Sequence, residues 1–141
     1  SLLPAQYAET IVPRVRAEQL NRDEALWLAG SVTGSLPVGT DVGDAAQTLE
    51  RLIPSLFLRL APDAPVTVGQ FAYLLLQLEE TPAGFWYALL PSPFTAYEQL
   101  VSVGVVEGSL SSTALVDGPR AAAMARRYLA YAGAGGAVGA Q

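Results

Sequence analysis

Leu20-Asn21-Arg22-Asp23-Glu24, Val66-Thr67-Val68-Gly69-Gln70 and Val116-Asp117-Gly118-Pro119-Arg120 are the three stretches on which the fold turns. Each begins with an aliphatic residue, follows it with a helix-capping residue, places a polar residue three positions after the cap, and opens an apolar run. The caps are separated by 67 − 21 = 46 and 117 − 67 = 50 residues. A period of this size suggests a repeated helical module. Modules of this kind more often bind than catalyse.

The elements between the caps complete the pattern. A short helical segment, Gln6–Val12, shares Tyr7 and Ile11 on one face and stops at Pro13. The helix after Asn21 runs through Trp27 to Gly30, read as its stop, and Ser31 to Gly43 reads as loop. Asp41 or Asp44 caps a helix over Asp44–Ile53 with Leu49, Leu52 and Ile53 as its stripe. Thr67 opens a helix in which Phe71, Leu74, Leu75 and Leu78 keep helical spacing while Tyr73 and Leu76 widen the apolar surface. Such a helix belongs at the centre, and this one is expected to be the most buried.

A proline-rich, aromatic connection from Pro82 to Pro93 contains Phe85, Trp86 and Tyr87. A helix over Thr95–Val103 follows, with Gly104 as a left-handed stop before Val105 and Val106. Asp117 caps the last helix, alanine-rich to Tyr131. The expected architecture is all-α: three imperfect two-helix repeats, about 1–35, 41–80 and 92–131, in a pseudo-threefold bundle within one domain of residues 1–131. Residues 132–141, rich in Gly and Ala, read as a flexible tail or linker, as at the edge of a module of a longer or tethered protein.

Composition narrows function. The chain has 141 residues, about half of them apolar, enough to bury a core. Its 13 acidic and 8 basic residues, the latter all arginine, leave a net charge of −5. Scattered arginines on an acidic chain give no clustered positive field for nucleic acid or anionic lipid. There is no cysteine and no histidine, which excludes disulfides, cysteine- or histidine-ligated zinc, thiol nucleophiles and imidazole acid–base chemistry. No apolar run has the length of a membrane helix, and Ser1-Leu2-Leu3-Pro4 does not read as a secretion leader.

Two blocks carry a family resemblance. Residues 60–75, from Leu60-Ala61-Pro62 through Val66-Thr67-Val68-Gly69-Gln70 to Leu75, resemble the end of an S-layer homology repeat. That repeat closes with a proline-containing loop, an aliphatic residue, Thr-Arg-Ala-Glu and an apolar helix. Residues 96–108, Ala96-Tyr97 through Gly104-Val105-Val106-Glu107-Gly108, resemble its start, a Trp-Ala-Tyr helix followed by Leu-Gly-Ile-Val-x-Gly. Asn21-Arg22-Asp23-Glu24 is similar to the Thr-Arg-Ala-Glu motif, so the similarity spans about residues 5–131. The resemblance implies a threefold helical prism that binds cell-wall polysaccharide in grooves between repeats. It further implies an exported bacterial protein of the cell envelope, on the periplasmic or cell-surface side. The sequence departs from the family where Val68 and Gly118 stand at the motif arginine, which survives only as Arg22, and where Thr95 stands for the tryptophan.

Candidate binding residues follow from chemistry. Arg22 sits at a helix N-terminus, where backbone N–H groups favour anions, beside the cap Asn21. Trp86 and Tyr87 are suited to stack on a sugar or to seat a partner. Trp27, inside a capped helix, reads as core. Asp41, Asp44 and Asp63 offer hard oxygens for calcium but follow no EF-hand spacing, so no metal or cofactor is expected. A glycosidase would need two converging carboxylates, and context marks none of the 13 acids. The reading is thus a non-catalytic module whose partner is a cell-wall glycan. Its rival is an adaptor for another envelope protein that has lost glycan binding and is anchored by Phe85-Trp86-Tyr87.

Overall fold

The protein is seen in a computed structural model that describes residues 19–52, 61, 63–78 and 91–139. Among these residues all regular structure is helical: α1 (Arg22–Thr33), α2 (Val42–Leu52), α3 (Val68–Leu78), α4 (Pro93–Ser102) and α5 (Gly118–Gly139). The expected first helix, Gln6–Val12, and the aromatic run Phe85-Trp86-Tyr87 lie outside the described residues.

Each of the three marked stretches starts a helix, and the caps form as their residue types dictate. Asn21 Oδ1 accepts from the Glu24 N–H at 2.8 Å, and Glu24 Oε1 accepts in return from the Asn21 N–H at 3.0 Å. Thr67 and Gln70 make the same reciprocal pair at 3.1 and 2.9 Å. Asp117 Oδ1 accepts from the Arg120 N–H at 2.7 Å, but arginine has no acceptor to return, so this third box is half made.

The residues before the caps join the modules. Val66 N–H donates to Leu20 C=O, Val116 N–H to Val66 C=O, and Leu20 N–H to Val116 C=O, at 2.9, 2.9 and 2.8 Å. The three bonds run in one direction and close on themselves. Leu20, Val66 and Val116 are fully buried, and burying each adds roughly 1.5–3 kcal/mol. A second tier lies one step outward and runs in the opposite sense: Arg22 N–H donates to Ala64 C=O, and Val68 N–H to Ala114 C=O. The position that would complete this tier, Glu18, lies outside the described residues.

Helix packing follows the same order. The three capped helices α1, α3 and α5 touch pairwise, α2 packs on α1, and α4 packs on α3. This arrangement is compatible with modules disposed around one axis through the ring of bonds. Helix α3 is buried along most of its length, as expected, with Phe71, Leu74 and Leu75 in the core. Helix α1 shares that central place, because Ala25 through Val32 form an unbroken buried run. From α5, Met124 and Tyr128 reach the same core.

Several boundaries differ from expectation for local reasons. Gly30 does not stop α1. The helix continues to Thr33 and ends at Gly34, whose φ of 79° is left-handed. Gly30 is instead needed for contact, since a Cβ there would lie 2.7 Å from Leu36 Cγ and Cδ1. Helix α2 begins at Val42, which places Asp41 before it and Asp44 in its first turn. Helix α4 begins two residues early because Ser92 and Thr95 form their own capping box around Pro93, a residue pre-set for a first turn. Its left-handed stop falls at Gly104 as read, with φ 82°. Helix α5 passes the expected boundary at residue 131 and reaches Gly139.

Candidate functional site

Arg22 lies where the start of α1 meets the turn before α3. The N-terminus of α1 is linked to the 61–65 turn through the Asn21–Pro65 bridge and the Arg22–Ala64 hydrogen bond. Arg22 is therefore held at a fixed backbone position against that turn. Its side chain is 14% exposed. Nη2 and Nε donate to the same Asp23 oxygen, Oδ1, at 2.9 and 3.2 Å. Asp23, with Glu24 in the cap, complements the positive end of α1.

This pairing sets the chemistry open to the site. A guanidinium presents planar donors to a carboxylate, a phosphate or sugar hydroxyls. Asn21 has a different role, since its side-chain oxygen and backbone N–H are both engaged in the cap. It orients the helix end that carries Arg22. Trp86 and Tyr87 lie outside the described residues.

The corresponding start of α3 is packed tightly. Val68, at the arginine position, is fully buried. Gly69 is pressed against the next module: its N–H donates to Ser112 C=O at 2.9 Å, and a Cβ would lie 3.0 Å from that oxygen and 3.1 Å from Pro93 C=O. Gly118 is also buried and carries no side chain to offer.

The remaining candidates have structural places. Trp27 is core, and its Nε1 donates to Thr40 C=O at 2.7 Å, tying α1 to the turn before α2. Asp41, Asp44 and Asp63 are exposed, and among the described residues no three acidic side chains gather to hold a metal. Phe94 escaped sequence reading. It is 56% exposed and stacks on Tyr97, with ring centroids 6.3 Å apart. The signal was available, because Ser92-Pro93-Phe94-Thr95 is a capped helix start that puts Phe94 in the first turn.

Comparison with protein-family models, with curated proteins and with solved structures finds no match. Among the described residues no helix is long and apolar enough to cross a membrane.

Proposed function

We propose that this chain is a non-catalytic cell-envelope module that binds wall polysaccharide through the crease at Arg22. The reading places it on the periplasmic or cell-surface side of an exported bacterial protein and resembles the role of S-layer homology domains. The observation that carries it is the closed ring of main-chain bonds joining Leu20, Val66 and Val116. A ring of this kind supports three modules around one axis, the architecture that the resemblance implies. It also supports creases between modules as the binding surfaces.

Arg22 supplies the polar contact. It is held at a module boundary, it is partly shielded from water, and its present counter-ion is a neighbouring side chain that a ligand carboxylate can replace. Shielding raises the worth of each charge-assisted hydrogen bond. With Val68 and Gly118 at the equivalent positions, this reading has a single polar crease per chain.

The test is retention on purified peptidoglycan and on purified wall polymer. Retention at low salt that weakens with added salt, and falls in Arg22→Gln, supports the reading. No retention of the unaltered chain at low salt rejects it.

A further inference from the structure

We draw no further inference here: the strongest candidate, the exposed surface of Phe94 and Glu98 on the first turns of α4, is one aromatic ring beside one carboxylate, and nothing in the structure shows what covers it.

Discussion

Val66 N–H donates to Leu20 C=O at 2.9 Å across 46 residues of chain, and Val116 repeats the relation to Val66 at the same length. Because the third bond returns from Leu20 to Val116, each module is held by both of its neighbours. All three donors sit in the dry core, so opening any one exposes buried backbone from two modules at once. Native-state hydrogen exchange is therefore expected to give the Leu20, Val66 and Val116 amides one common protection, equal to global unfolding. Independent opening of one amide well below that limit would show modules that unfold separately.

The caps rank by completeness. Asn21 and Thr67 make both halves of their boxes, while Asp117 makes one. Asn21→Ala and Thr67→Ala should each cost about 1 to 2 kcal/mol in urea unfolding, and Asp117→Ala about 1 kcal/mol or less. A larger loss at Asp117 than at both others would contradict the ranking.

These caps show how much of the fold could be read in advance. A cap is a local device, so Asn21, Thr67 and Asp117 announced three helix starts, and Gly104 announced a stop. Gly30 misled because glycine suits a helix end, while its reason for being glycine is Leu36, which arrives through the loop. The ring of bonds is tertiary and leaves only a spacing in the sequence. At the site, Arg22 was visible as the one arginine directly after a cap. Its capture by Asp23 follows from a rotamer, and the tight packing at Gly69 follows from Ser112 and Pro93, 43 and 24 residues away.

Ser31 tests the core of α1. Its hydroxyl is buried and finds no hydrogen-bond partner among the described residues. Removing an unsatisfied buried polar group while keeping the backbone should help, so Ser31→Ala is expected to raise stability by about 1 kcal/mol in chemical denaturation. Alanine also has the better helix propensity. A clear loss of stability would reveal that the hydroxyl has a partner when the protein is in solution.

Tyr97 tests the support beneath Phe94. Its hydroxyl donates to Leu110 C=O and pins the turn that carries Ser111 and Thr113. Tyr97→Phe keeps the ring and removes the tether. The expected cost is about 1 kcal/mol in stability, with faster exchange of the turn amides between Leu110 and Ala114 and little change elsewhere. Unaltered exchange in that turn would mean that packing alone fixes it.

Gly30 and Gly69 separate two kinds of tight contact. At Gly30 the obstacle to a Cβ is a side chain, Leu36, whereas at Gly69 it is two backbone carbonyls. Alanine is the better helix former by nearly 1 kcal/mol, so an exposed glycine in either helix would gain from the exchange. Here overpacking opposes that gain by about 1 to 3 kcal/mol. Gly30→Ala should be relieved by trimming its neighbour, so the Gly30→Ala, Leu36→Ala pair is expected to cost less than the sum of the single changes. No such partner exists at Gly69, where relief requires the modules to part. Gly69→Ala is thus expected to lower stability and to loosen the Ser112 bond, seen as faster exchange at the Gly69 amide than in the unaltered chain. Additive behaviour at Gly30 and Leu36, or a stabilised Gly69→Ala, would show that these glycines are not set by the approach of their neighbours.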